Sequence, residues 1–122
     1  MKDLKRKIHY WCSDTMQNKI TGKGVVCAVL DTGITQHPDL VGRIVGWKDC
    51  VQGKKTIYDD NGHGTHVAGI LAGNGKSGRG LYSGMAPEAQ IFAVKVLNQR
   101  GGGKIRDVIN GIRYVLLKQK EM

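Results

Sequence analysis

Three runs of apolar residues divide the chain and predict the strands of a sheet. The most apolar run is residues 25–30, and weaker ones follow at 43–49 and 89–97. A continuous apolar run without polar alternation is typical of a strand that is buried on both faces. Glycines at Gly24 and Gly33 flank the first run and mark its limits.

Helical spacing of apolar residues predicts two helices between and after these strands. The first covers residues 63–72. The second covers residues 106–118, with an apolar stripe made of Val108, Ile109, Ile112, Val115 and Leu116. A short amphipathic helix is also predicted within residues 1–20. Because the order is strand, strand, helix, strand, helix, the pattern predicts an α/β layered fold with a parallel sheet.

Length and composition agree with one compact domain. The chain has 122 residues, of which 40% are hydrophobic and 24% are charged, and no repeat or linker divides it. No apolar run approaches the roughly 20 residues that cross a bilayer, so no membrane partner is expected. The charged residues at the start are not followed by an apolar stretch, so no secretory signal is expected either.

Charge and cysteine content restrict the partners and the compartment. Lysine and arginine number 19 against 10 carboxylates, which gives a net charge of +9. The cations are spread along the chain with few aromatic residues among them, so nucleic acid is not an expected partner. Cys12, Cys27 and Cys50 form an odd set without paired spacing, which predicts reduced thiols in a cytoplasmic protein. Secretion is expected only if a signal and a propeptide precede residue 1.

Candidate chemistry lies at the end of the first strand and at the start of the first helix. Asp31 follows the most apolar run, at the carboxyl end where parallel sheets place functional groups. A buried carboxylate needs a partner, and His63 is the natural candidate. An imidazole that donates one ring proton to a carboxylate can act as a base through its other nitrogen. The pair therefore predicts the activation of a serine hydroxyl by a general base.

Two stretches of sequence around these residues resemble the aspartate and histidine motifs of the subtilisin-like serine proteases. They are residues 29–34, VLDTGI, and residues 61–69, NGHGTHVAG. Further matches follow in the family's order as far as residue 117. The resemblance implies a three-layer fold with a mostly parallel sheet, incomplete in this chain, and the hydrolysis of peptide bonds in protein or peptide substrates. It implies that Asp31 orients the base, that His63 is the base and that His66 is structural.

The serine motif of that family has no counterpart here. In the family a Gly-Thr-Ser-Met-Ala segment carries the nucleophile, and it falls beyond residue 122. The serines present are Ser13, Ser77 and Ser83. Residues 83–86, SGMA, resemble the motif superficially, but their order along the chain matches a turn before the third strand. We therefore expect residues 1–122 to be the N-terminal portion of a serine endopeptidase domain that is inactive alone.

The resemblance also implies where substrate and calcium bind. In the family the segment after the third strand lies beside the substrate as an extra antiparallel strand. The positions implied here are Leu97, Gly101, Gly102, Gly103, Ile105 and Val108. Asp39 matches a calcium-binding position of some members, but the facing loop carries Lys76 and Arg79 where a calcium site needs oxygen ligands. No cofactor is therefore expected to be required, and calcium is only weakly supported.

Three other interpretations are open at this point. Asp31-Thr32-Gly33 also occurs in retroviral-type aspartic proteases, in which a homodimer pairs two carboxylates, although those proteases are nearly all β. A metal hydrolase built on Asp31, His63 and His66 is a second interpretation, although zinc-binding helices space their histidines four apart. The third is an inert or split fragment that needs a partner chain to supply the serine and the remaining strands.

Overall fold

The structure is a computed structural model that describes residues 20–78 and 83–121. Its strands are β1 (Val26–Asp31), β2 (Ile44–Asp49) and β3 (Gln90–Lys95). Its helices are α1 (His63–Ala72) and α2 (Ile105–Gln119), with short 3-10 turns at Pro38–Leu40 and Lys76–Gly78. Neither α1 nor α2 is long and apolar enough to cross a membrane. The helix predicted within residues 1–20 lies outside the described residues.

The three strands form one parallel sheet in the order β1-β3-β2. Asp31 at the end of β1 and Asp49 at the end of β2 both pair in register with Lys95 at the end of β3. Three charged residues therefore lie at one carboxyl edge of the sheet. The parallel sheet confirms the predicted fold class, and its carboxyl edge is where a functional site is expected.

The two helices pack on opposite faces of the sheet and give the predicted three layers. On the α1 face, Ala68 and Ala72 are fully buried against Ile91 and Ala93 of β3. On the α2 face, the core consists of Phe92, Val94 and Val96, with Val108, Tyr114 and Val115 of α2 packed against it. A Cβ on Gly111 would lie 2.7 Å from Val96, so this glycine is what lets α2 approach the sheet.

The burial predicted for β1 is only partly correct. The central strand β3 is buried along almost its whole length, as a strand covered on both faces should be. In β1, by contrast, Ala28 is exposed and its apolar neighbours are only partly buried. The reason is position, because β1 lies at an edge of the described sheet and has β3 on one side only.

The apolar stripe predicted on α2 is also only partly covered. Val108 and Val115 pack against the sheet, as expected. Ile109, Ile112 and Leu116 are 41%, 48% and 54% exposed. The stripe is therefore wider than the surface that the described sheet offers to it.

Candidate active site

Asp31 and His63 are in direct contact at the carboxyl edge of the sheet. Nδ1 of His63 lies 2.9 Å from Oδ1 and 3.0 Å from Oδ2 of Asp31. The ionised carboxylate can only accept, so Nδ1–H donates. The Asp31 side chain is 12% exposed, whereas that of His63 is 63% exposed. Nε2 of His63 is therefore the nitrogen available to a reacting group.

Thr32 fixes the carboxylate and joins β1 to α1. Its N–H donates to Oδ1 of Asp31 over 2.7 Å. Its hydroxyl oxygen accepts the N–H of Gly64 over 2.9 Å and donates to Asp59 over 2.8 Å. Because the first N–H groups of a helix have no partner within the helix, the hydroxyl supplies one of the acceptors that α1 needs. Thr32 thus holds both ends of the Asp31–His63 contact, one through its backbone N–H and the other through its side chain.

Asp59 holds the loop that leads into α1. Its Oδ1 accepts the N–H groups of Asn61 and Gly62, and its Oδ2 accepts the N–H and the hydroxyl of Thr65. Burial alone would raise the pKa of Asp59, but hydrogen bonds from Thr65, Gly62 and Thr32 hold it well below its usual value. The negative charge also lies at the N-terminus of α1, where the helix dipole favours it. The sequence analysis did not identify Asp59.

The low pKa of Asp59 predicts a loss of stability in acid. A carboxyl group whose pKa is lower in the folded state stabilises the fold above its unfolded pKa of about 3.9, and this contribution is lost as the pH falls further. We expect Asp59→Asn to make the free energy of unfolding less dependent on pH below about 4. Urea unfolding of the purified protein between pH 6 and 2 measures this slope. Asp107→Asn is the control, and equal slopes for all three proteins would contradict the assignment.

A contact between two backbones sets the distance between β1 and α1. A Cβ on Gly64 would lie 2.3 Å from the carbonyl oxygen of Gly33. Gly33 itself has a φ of +125°, and a Cβ there would lie 2.1 Å from the carbonyl oxygen of Tyr58. Both positions therefore need glycine, one for its backbone conformation and both for space. The contact brings His63 close enough to reach Asp31.

Lys95 is a buried cation behind the two catalytic candidates. Its side chain is 1% exposed, and Nζ donates to the carbonyl of Thr32 over 2.6 Å and to Oδ1 of Asp60 over 2.8 Å. Nζ also lies 5.1 Å from the ring centre of Tyr58. Lys95 therefore ties the loop before His63 to the segment that follows Asp31. The sequence analysis placed this lysine in a strand but assigned it no role.

Comparison with known proteins identifies the family. A profile of the subtilase family, Peptidase S8, matches residues 22–122. The chain belongs to the subtilase family. This confirms the family and the fold class that the two motifs predicted, and the family is one of serine-type peptidases.

Individual subtilases match at high identity over most of this chain. Serine protease AprX of Bacillus subtilis (strain 168) is 55% identical over 97 residues, which are 80% of this chain and 22% of that protein. Minor extracellular protease Epr of the same strain is 44% identical over 103 residues, 84% of this chain and 15% of that protein. The crystal structure of a cold adapted subtilisin-like serine proteinase superposes with a TM-score of 0.69 at 37% identity, over 79% of this chain and 33% of its own. The chain thus spans a third or less of each of these relatives.

The geometry argues against two of the other interpretations. Retroviral-type aspartic proteases are nearly all β, whereas this subtilase chain has a parallel sheet between two helices, and Asp31 is paired with His63. In a metal hydrolase His66 would share a ligand set with His63. Instead, His66 lines a cleft of about 440 Å³ together with His37 and Leu40, and neither Asp31 nor His63 lines that cleft.

The predicted substrate-binding residues lie on one loop and the start of α2. Leu97 is partly buried and donates its N–H to the carbonyl of Asp31 over 3.2 Å. Gly101, Gly102 and Gly103 are exposed and lie at the end of a turn and in the irregular segment after it, not on a strand. Ile105 is 80% exposed, while Val108 packs partly against the α2-side core. Their role in binding stays a prediction.

The described serines lie far from His63. Gly84 and Met85, which follow Ser83, donate N–H groups to the carbonyls of Gly73 and Ile70 at the carboxyl end of α1. The N–H of Ser77 donates to Asp39, also beyond that end. His63 opens the helix, and ten residues of α-helix extend about 15 Å. Ser83 therefore belongs to a turn packed against the far end of α1, and Ser13 lies outside the described residues.

The oxygens of Asp39 accept several donors from the protein. Its Oδ1 accepts the N–H of Ser77, and its carbonyl accepts donors from Asn74 and the Arg43 guanidinium. Calcium is bound by six to eight oxygen ligands, so a site at Asp39 would need further oxygens from its neighbours. Within residues 20–78 and 83–121, no group of three or more His, Cys, Asp or Glu side chains is placed to hold a metal ion.

Proposed function

We propose that this chain supplies the acid and the base of a serine endopeptidase, and that the nucleophilic serine comes from residues outside this sequence. The observation that carries the proposal is the 2.9 Å contact between Nδ1 of His63 and Oδ1 of Asp31. Family membership supports the serine-type chemistry. The exposure of His63 beside a buried, tightly held carboxylate supports the assignment of the base.

The proposed reaction uses each nitrogen of His63 differently. Nε2 takes the proton of the serine hydroxyl as its oxygen attacks the peptide carbonyl, and then gives that proton to the leaving amine. Nδ1–H stays bonded to Asp31, which remains ionised and stabilises the imidazolium. Water then attacks the acyl-enzyme while Nε2 takes its proton, and Nε2 returns that proton to the serine oxygen as the second product leaves. We assign the hydrogen-bond donors that bind the oxyanion, like the serine, to residues outside this sequence.

The position of the serines supports an outside nucleophile. Ser77 and Ser83 lie at the end of α1 opposite to His63, and a nucleophile must come within hydrogen-bond distance of its base. The exposed residues Ile109, Ile112 and Leu116 favour contact of α2 with further structure. We assign that structure to a continuation of the polypeptide or to a second chain, and we expect these 122 residues alone not to hydrolyse peptides.

Labelling with a fluorophosphonate tests this proposal. The protein that carries this sequence is isolated from its source together with any chain bound to it, labelled, digested and mapped by mass spectrometry. The label is expected on a serine outside these 122 residues, because only an activated serine reacts rapidly. A label on Ser13, Ser77 or Ser83 would overturn the proposal, and so would a protein that neither reacts nor hydrolyses peptides. The second result would favour the inert fragment.

The compartment and the need for calcium stay predictions. Among the described residues, Cys27 and Cys50 are free thiols, in line with the cytoplasmic expectation. The relative Epr is an extracellular protease by name, which favours secretion as the alternative. No cofactor has a role in the proposed reaction.

A further inference from the structure

The loop that follows β3 borders the two proposed catalytic residues. Leu97, the second residue after β3, donates its N–H to the carbonyl of Asp31. Two residues later, the carbonyl of Gln99 accepts the side-chain amide of Asn61 over 2.9 Å. Asn61 in turn accepts the N–H of His63 through its Oδ1 over 3.0 Å. A peptide held at His63 therefore passes close to this loop.

Asn98 holds the loop in one conformation. Its side-chain oxygen accepts the N–H groups of Arg100 and Gly102 over 2.9 and 3.1 Å. Its own N–H donates to the carbonyl of Gly102 over 2.7 Å, and its carbonyl accepts the N–H of Gly101 over 2.9 Å. The backbone of Arg100 is thus fixed in a closed turn. Arg100 therefore has a fixed backbone position, one residue after the Gln99 carbonyl that accepts the Asn61 amide.

The loop and the start of α2 carry three exposed cations, Arg100, Lys104 and Arg106. Among the described residues, neither Arg100 nor Lys104 forms an ion pair. Arg106 lies 3.7 Å from Asp107 but is 74% exposed.

The carboxylates on this side of the molecule are already engaged. Asp31 is bonded to His63, Asp60 to Lys95, and Asp107 lies beside Arg106. Asp59 accepts donors from four residues. None of these four carboxylates forms an ion pair with Arg100 or Lys104. Residues 97–106 contain three cations and no carboxylate, so the loop itself has a net charge of +3.

We propose that Arg100, Lys104 and Arg106 make this a site for acidic peptides, with Asp or Glu within about four residues of the bond that is cut. The inference rests on the proposed function, because it concerns the substrate of the same site. An extended peptide rises about 3.3 Å per residue, so four residues extend about 13 Å from the bond that is cut. Each exposed charge contact contributes about 1.5- to 5-fold to kcat/KM. The three together favour an acidic over a neutral peptide by about 10-fold at low salt.

Paired peptides that differ only in Glu or Gln at the flanking positions test the inference, because the two side chains have the same shape. The complete active protein is expected to cleave the Glu peptide with about 10-fold higher kcat/KM at low salt. In 1 M salt the Debye length falls to about 3 Å, and the ratio is expected to approach one.

Single variants assign the preference to the loop. Arg100→Gln and Lys104→Gln are each expected to lower the Glu-to-Gln ratio by about 1.5- to 5-fold. Lys120→Gln is the control, because it removes the same charge just beyond the C-terminal end of α2. At about 1.5 Å per helical residue, that end lies more than 20 Å from the start of α2. This variant is expected to keep the Glu-to-Gln ratio.

The outcomes separate the two proposals. Equal cleavage of the Glu and Gln peptides, or a preference that the loop variants do not reduce, would overturn the inference while leaving the proposed function intact. Failure to cleave any peptide would overturn both. A preference that falls in the loop variants and persists in Lys120→Gln would support the acidic substrate class.

Discussion

Replacing His63 by alanine in the active protein is expected to lower kcat for peptide hydrolysis by about 10⁶-fold, a figure taken from the same change in another subtilase. The loss is large because the serine hydroxyl then has no base and the leaving amine has no acid. Asp31→Asn is expected to lower kcat by about 10⁴-fold, since the base is kept but its orientation and charge partner are lost. Hydrolysis of a fluorogenic peptide at saturating concentration measures both.

His66→Ala is the matched control for this experiment. His66 lies three residues further along α1 and lines a cleft with His37 and Leu40 that neither Asp31 nor His63 lines. Its removal is expected to change kcat by no more than a few-fold. Equal losses of kcat in His63→Ala and His66→Ala would show that any substitution of a histidine in α1 disturbs activity. That result would contradict the assignment of His63 as the base.

Lys95→Met is expected to lower the free energy of unfolding by about 3–5 kcal/mol, because breaking a buried ion pair leaves its partners without compensation. The 1% exposed ammonium is the donor to the Thr32 carbonyl and to the Asp60 carboxylate. Asp60 is 33% exposed and water reaches it, so the lower end of the range is the better expectation. Chemical denaturation of the complete protein at neutral pH measures the change.

Lys118→Met removes a lysine from an exposed ion pair and is the control for Lys95. Lys118 pairs with Glu121 one turn further along the chain, and both side chains are well exposed. Exposed pairs contribute little to folding because solvent screens them. Losses of similar size in the two variants would contradict the role of the buried Lys95 network.

Much of the fold was predictable because its signals are local. Residues 63–72 were predicted as a helix and form α1 with the same bounds. The run predicted as a strand at 25–30 forms β1 at Val26–Asp31. The periodicity of apolar residues decides such elements. The contact of Asp31 with His63 was also predictable, since both flank elements that a parallel sheet brings to one edge.

The supporting residues were not predictable, because their contacts join distant parts of the chain. Thr32 and Asp59 are 27 residues apart, and Lys95 and Thr32 are 63 apart. No periodic pattern of apolar residues predicts a hydrogen bond between side chains so far apart in the sequence. The exposure of Ile109 and Ile112 escaped prediction for a related reason, since a helical stripe shows which face is apolar but not how much of it a given sheet covers.

The backbone contact between Gly33 and Gly64 is required by the fold, whereas His63 is required only by the proposed reaction. A lineage that stops cutting peptides is free to replace His63, because nothing in the packing requires an imidazole that is 63% exposed. The two glycines are required by the packing itself, since a Cβ on Gly64 would lie only 2.3 Å from the Gly33 carbonyl oxygen and Gly33 has a φ of +125°. A descendant that keeps both glycines but lacks the histidine would therefore be a pseudoenzyme with an intact scaffold. Loss of the glycines as well would mark a chain in which the scaffold itself has changed.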